Sequence, residues 1–148
     1  MRALIQRVLD AQVTVDNKVV GSCGHGLLVF LGVGQQDTQE SAQRLWQKIS
    51  KLRIFADEQG KTNLSLTDVN GELLVISQFT LFANCKRGNR PSFTEAAPPA
   101  LANELYEHFC DLAKRDVAHV DQGVFGASMQ VSLTNDGPFT ILLDTADL

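Results

Sequence analysis

Apolar positions recur along the chain with two different periods, and the switches between them mark out the elements. Residues 3–9 and 12–15 are short runs rich in aliphatic and β-branched side chains, and Asp16-Asn17 separates Val13-Thr14-Val15 from Lys18-Val19-Val20 as a hairpin turn does. The chain is therefore predicted to open on antiparallel strands. Gly24 and Gly26 precede Leu27-Leu28-Val29-Phe30-Leu31, which is apolar at every position; such a run suits a strand covered on both faces, and Gly32 and Gly34 end it.

Helical spacing takes over after Asp37. Asp37 and Glu40 are spaced as a capping box, which predicts a helix start there. Ala42, Leu45, Trp46, Ile49 and Leu52 then form an apolar stripe, while Arg44, Lys48 and Lys51 share another face and read as a solvated one. Asp57-Glu58-Gln59-Gly60 and Asn70-Gly71 are turn signals, and residues 72–82 read as one long apolar strand. Residues 84–92 read as a loop in which Lys86, Arg87 and Arg90 concentrate positive charge. Pro98-Pro99 suits the first turn of a second helix, with Leu101, Leu105, Phe109 and Leu112 as its stripe and an end near Lys114-Arg115-Asp116. Residues 117–120, 123–127, 129–133 and 139–143 are predicted strands. Two helices among many strands give an α+β class.

Composition narrows the picture. With 148 residues, 44% of them hydrophobic, the chain can build one sizeable core, and no repeat or linker divides it, so a single domain over residues 1–148 is expected. Cys23, Cys85 and Cys110 are far apart, with no CxxC pair or histidine at ligand spacing; they read as reduced, mostly structural thiols, and no metal or cofactor is expected. The first residues lack a signal-peptide pattern, and the apolar run 27–33 is too short to span a bilayer, so a cytoplasmic protein without a membrane partner is expected. A net charge of -4 argues against gripping DNA or RNA over a broad basic surface, because phosphate neutralisation dominates such binding.

Familiar catalytic motifs are missing. There is no GxSxG elbow, no HExxH and no phosphate loop, and His25, His108 and His119 are scattered. Spacing alone assigns no nucleophile and base.

Four segments are more specific than composition: Leu4-Ile5-Gln6-Arg7-Val8, Ser77-Gln78-Phe79-Thr80-Leu81-Phe82, Arg87-Gly88-Asn89-Arg90-Pro91-Ser92-Phe93 and Asn135-Asp136-Gly137-Pro138-Phe139-Thr140. In this order and spacing the chain resembles the D-aminoacyl-tRNA deacylase family, from its first residues to Leu143. The resemblance implies a barrel-like, mostly antiparallel sheet with two main helices, in a homodimer with active sites at the subunit interface. It implies hydrolysis of the ester of D-aminoacyl-tRNA, and of glycine mischarged on tRNA-Ala, with L-aminoacyl substrates rejected and no cofactor used.

The resemblance also distributes roles. Gly137-Pro138 is the family's cis peptide, projected into the other subunit's pocket so that its carbonyls accept from the substrate ammonium. X-Pro bonds alone adopt cis at modest cost. Ser77, Gln78, Phe79 and Thr80 line the catalytic pocket, with backbone N–H groups, chiefly that of Phe79, facing the developing oxyanion. Thr80 is an orienting residue in this scheme, since a threonine nucleophile needs a base within reach. Lys86, Arg87 and Arg90 contact phosphates of the single-stranded tRNA acceptor end in this scheme. The stripe Arg44, Lys48 and Lys51 either assists them or is the solvated face read above, and Phe125 and Met129 are read as pocket wall or, more simply, as core packing. Two other readings remain open: a non-catalytic tRNA- or amino-acid-binding module on the same fold, and a small-molecule esterase using Thr80 or Ser77.

Overall fold

The computed structural model describes residues 1–148 and is built around one 14-residue strand, β1 (Arg2–Val15). Along one edge β1 pairs antiparallel with β2 (Lys18–Cys23) and β3 (Gly26–Gly32). The register runs on across the gap between them, with Ala11 opposite Cys23 and Val8 opposite Gly26, so residues 18–32 act as one hairpin arm. Asp16 and Asn17 both take positive φ, 50° and 62°, the requirement of a tight hairpin turn whose twist matches the strands. The two predicted opening strands are thus one. The exposed Leu9-Asp10 pair that interrupts their apolar pattern lies where pairing on the other edge shifts register.

That other edge pairs along its length with antiparallel β8 (Gln130–Asp144). β3 continues the sheet in the parallel sense to β6 (Glu72–Ser77), and β6 to β7 (Val120–Gln122). β2 comes back towards β7: a Cβ on Gly21 would lie 2.9 Å from the carbonyl oxygen of Gln122. The result is a nearly closed, barrel-like mixed sheet, with β4 (Phe55–Ala56) and β5 (Thr62–Leu64) as a separate small hairpin.

Two helices, α1 (Gln39–Ser50) and α2 (Pro99–Asp116), cover one face. Leu27, Val29 and Leu31 of β3 and Leu73 and Val75 of β6 pack there with Leu45, Ile49, Leu105 and Phe109. Trp46 meets Phe109 edge to face at 5.7 Å, and the buried Tyr106 hydroxyl donates to the Val75 carbonyl at 2.9 Å. Leu28, Leu74 and Ile76 point the other way, into a second cluster with Val8, Val13 and Cys23. The unbroken apolar run of β3 is explained: both of its faces are covered. Each fully buried Leu, Ile or Val contributes about 1.5–3 kcal/mol. No helix is long and apolar enough to cross a membrane.

Five further sequence expectations are corrected. The N-cap of α1 is Thr38, which forms a capping box with Ser41; Asp37 is drawn away, accepting from the Gly34 N–H at 2.7 Å and pairing with the Met1 ammonium at 2.5 Å. The predicted strand 72–82 stops at Ser77, because β3 ends at Gly32 and offers no further ladder; a 3₁₀ turn, Phe79–Phe82, follows. Residues 123–127 form a loop, and the strand expected at 117–120 is instead Val120–Gln122. Finally, residues 130–144 are one strand, so Asn135 to Pro138 belong to a bulge inside it and not to a turn between strands.

Candidate active site

β3 and β6 run parallel, and a cavity of about 560 Å³ opens at their carboxyl ends, where ligands of parallel sheets commonly bind. Leu31, Val33 and Ile76 form its floor, Phe93 and Ala97 one wall, and Phe125 and Met129 the opposite one. Its only polar lining side chains are Ser77 and Gln78, and no ionisable side chain lines it. The cavity wall therefore carries no side chain that could act as a general base.

What the cavity does present is backbone. Gln78 closes the β3–β6 ladder by donating to the Leu31 carbonyl at 2.8 Å, after which the chain turns sharply into Phe79–Phe82. The first N–H groups of a helical turn have no partner within it. The Phe79 and Thr80 N–H groups accordingly donate to no group of the protein. The turn sits tightly on the end of β3. A Cβ on Gly32 would stand 3.0 Å from the Gln78 carbonyl oxygen, and one on Gly34 2.9 Å from the Phe82 ring. From below, Arg2 donates through Nη1 to the Leu81 carbonyl at 2.9 Å and through Nε to Asp144 at 2.7 Å, with its guanidinium 4.5 Å above the Phe82 ring. Burial alone would raise the Asp144 carboxyl, but the Arg2 hydrogen bond and the Ala146 N–H hold it below its usual range.

The predicted site residues divide into three groups. Ser77, Gln78 and Phe79 line the cavity together with Phe125 and Met129. Thr80 is exposed beside it, its hydroxyl accepting from the Gln78 amide. Phe79, 54% exposed, leans on Phe93 at 5.1 Å and so connects the cavity to the basic loop. In that loop Lys86, Arg87 and Arg90 are exposed, and its base is pinched by paired hydrogen bonds between Asn84 and Ser92 at 2.7 and 2.9 Å.

Gly137 and Pro138 are elsewhere. Val131 of β8 touches the cavity opposite Val13, but the bulge lies beyond Val8, five residues along β1, or about 17 Å at the usual rise. The Gly137–Pro138 peptide is cis, Gly137 has φ +126°, and both residues are exposed. Asn135 pins the base of the bulge by donating to the carbonyls of Arg7 and Phe139 at 2.9 and 3.0 Å.

Arg7 stands in the opening segment that carries the family resemblance, but the sequence assigned it no role. Its Nε and Nη2 donate to the Asp136 carbonyl at 3.2 and 3.0 Å, its Nη1 to the Ile54 carbonyl at 2.5 Å, and it lies 3.2 Å from the Asp136 carboxylate. The same guanidinium covers the Phe139 ring at 4.8 Å. An arginine at an inward position of a strand is the one signal the sequence offered. No thiol lines the cavity; burial lifts Cys23 and Cys110 to about 12, and only Cys85 is exposed.

The chain is similar over nearly its whole length to known proteins. A family model described as D-Tyr-tRNA(Tyr) deacylase matches residues 4–144. A D-aminoacyl-tRNA deacylase from Thermotoga petrophila is 56% identical over 148 residues, covering 100% of this chain and 99% of its own. The solved structure of a c-Myc DNA Unwinding Element Binding Protein superposes with a TM-score of 0.92 at 39% identity, covering 97% of this chain and 98% of that one. A probable eukaryotic D-amino acid tRNA deacylase shares the fold, with a TM-score of 0.85 at 17% identity over 96% of this chain and 97% of that one. On the family match and the full-length relative, the chain belongs to the D-Tyr-tRNA(Tyr) deacylase family.

Proposed function

We propose that the chain hydrolyses the ester between a D-amino acid and the end of a tRNA, and that it does so with backbone groups in place of an ionisable catalytic side chain. The observation that carries this reading is the apolar cavity lined by Phe79, whose N–H, like that of the adjoining Thr80, is unengaged. A tetrahedral intermediate places negative charge on the former carbonyl oxygen, and preorganised donors of this kind contribute roughly 3–4 kcal/mol to a transition state. The substrate's own 2′-hydroxyl lies beside the ester and positions the attacking water, which accounts for a site without a wall-borne base.

Chirality is read by Gly137–Pro138, acting in the cavity of a second copy of the chain. The bulge is too far along β8 to reach its own cavity, so the full site needs a homodimer. With the ammonium held by the bulge carbonyls and the ester by the N–H donors, the two remaining α-carbon substituents have fixed directions. An L-side chain collides with the bulge, while a D-side chain points outward. Rejection by collision tolerates many D-side chains, and glycine, lacking one, is cleaved as well. Lys86, Arg87 and Arg90 at the rim hold phosphates of the single-stranded tRNA end. The protein works on tRNA in the cytoplasm, and a non-catalytic binding module is the alternative.

Hydrolysis of matched D- and L-tyrosyl-tRNA by purified protein tests the reading. Repeated turnover of the D-ester with the L-ester spared is expected. Stoichiometric binding without turnover would leave only the binding module, and preference for the L-ester would overturn the stereochemical argument.

A further inference from the structure

We propose that a second RNA contact lies on α1, where a groove holding Arg44, Lys48, Lys51 and Arg53 docks phosphates of the double-stranded acceptor stem; this rests on the deacylase reading above. The four cations line one surface groove of about 470 Å³ with Gln47 and Leu52. Arg44, Lys48 and Lys51 succeed one another at four- and three-residue steps on one helix, about 6 and 4.5 Å apart along its axis. That is a ladder comparable with the step between successive phosphates of a strand.

The groove's charge is only partly offset internally: Asp68 feels the charge of Arg53, while Lys48 and Lys51 have no anionic partner. Arg53 is fixed by neutral groups, donating to the Asn63 carbonyl at 3.1 Å and to its side-chain oxygen. Arg44 donates to the main-chain oxygen of Leu148, the last residue, where that oxygen belongs to the terminal carboxylate and offsets this one cation. The five ion pairs of the chain include neither Lys48 nor Lys51, the two cations at the end of the helix. A groove in which cations outnumber anions concentrates positive potential and attracts a polyanion.

Position selects the polyanion. Arg53 is followed by Ile54, whose carbonyl accepts from Arg7, and Arg7 in turn holds the carbonyl of Asp136. The groove and the Gly137–Pro138 bulge are thus tied together by one short chain of contacts. In the dimer proposed above, a bulge that caps the second subunit's cavity brings this groove towards it through that chain of contacts, and so towards the stem whose single-stranded end is inside. Duplex RNA is held by phosphate and shape and not by base edges, which suits cations on an exposed helix face.

The test compares two substrates, D-tyrosyl-tRNA and the same D-tyrosyl ester on a CCA trinucleotide, using the chain and its Lys48→Glu/Lys51→Glu variant. All four cations are exposed, and thermal melting checks that the fold is kept. The inference expects KM for the tRNA to rise about tenfold in the variant, and the slope of log(kcat/KM) against log salt to fall by about 1.5, as two phosphate contacts are lost. Turnover of the trinucleotide ester should not change. An unchanged KM for the tRNA, or an equal loss on both substrates, would overturn the groove's role while leaving the deacylase intact. No turnover of either ester by the unaltered chain would remove the deacylase reading and the groove's role with it.

Discussion

The Arg7 guanidinium donates to the main-chain carbonyl of Asp136 through both Nε and Nη2, at 3.2 and 3.0 Å, and thereby fixes the bulge that carries Gly137 and Pro138. Hydrogen bonds from a charged donor contribute about 1.5–3 kcal/mol each, so removing them frees the bulge carbonyls to reorient. Arg7→Ala is expected to lower kcat on D-tyrosyl-tRNA by about 100-fold, with Arg7→Lys recovering part of it because a lysine reaches with one head and not a fork. Single-turnover rates at saturating enzyme check this. Full activity in Arg7→Ala would mean that the bulge need not be held.

Gly137 should be as intolerant for a separate reason. Its φ of +126° disfavours any L-residue, and a Cβ there would stand 2.8 Å from Arg7 Nη2. Gly137→Ala is expected to lose most D-ester hydrolysis while the melting temperature falls little, since the bulge is exposed. Calorimetry beside the D- and L-tyrosyl-tRNA assay separates the two effects, and a variant with normal rate and D/L ratio would contradict the assignment of chirality to this bulge.

The elements that sequence reading located well are those whose pattern is local. The hairpin at Asp16-Asn17, the β3 run buried on both faces and the stripes of α1 and α2 are set by residues within a few positions of one another. It failed where a distant partner decides. Asp37 looks like a cap until the Met1 ammonium and the Gly34 N–H claim it, and residues 78–82 look like strand until β3 runs out beside them. The cavity residues Ser77, Gln78 and Phe79 stood out only through the family's motif, because donors supplied by the main chain leave no mark on side-chain composition. Arg7 stayed hidden because its partners Ile54 and Asp136 are remote in sequence.

Hydroxyl removal distinguishes backbone catalysis from a covalent route. Thr80 is exposed, with its hydroxyl engaged by Gln78, and Ser77 lies in a cavity without an ionisable neighbour. Ser77→Ala and Thr80→Ala are each expected to keep kcat/KM within about tenfold of the parent. A loss near 10⁴-fold with the fold intact, of the kind seen when a nucleophile is deleted, would favour an acyl-enzyme instead.

His119 gives the barrel a pH-dependent latch. Its Nε2 lies 2.8 Å from the Ser22 carbonyl and 3.8 Å from both Glu72 and Asp121, so it joins the end of β2 to the β6–β7 side. The Ser22 hydrogen bond first, and the two carboxylates after it, raise the imidazole above its usual 6.5. A raised value means that the folded state binds the proton more tightly than the unfolded chain. The stabilisation is complete below about 6.5 and fades as pH climbs through the folded value. The melting temperature should drop modestly between pH 6 and pH 8, and His119→Phe should abolish that slope. A slope surviving the substitution would assign it to another group.

Arg2 is expected to act on the rate through the turn that bears the Phe79 and Thr80 N–H groups. It holds the Leu81 carbonyl from one side while Asp144 and the Phe82 ring hold its own guanidinium. Losing the contact lets the turn move by tenths of an ångström, and oxyanion donors lose their effect steeply with displacement. Arg2→Ala should therefore lower kcat by about tenfold with KM for D-tyrosyl-tRNA nearly constant, because tRNA phosphates are held elsewhere. Asp144→Asn, which keeps an acceptor for Arg2, should cost less. The Asp144 carboxyl is held below its usual 3.8, so its contribution is complete above that value and is lost only as pH falls through the depressed one. Between pH 6 and pH 8 the clamp is consequently intact, and the kcat deficit of Arg2→Ala should be constant across that range. A deficit confined to KM, or none at all, would show that the turn keeps its place without Arg2.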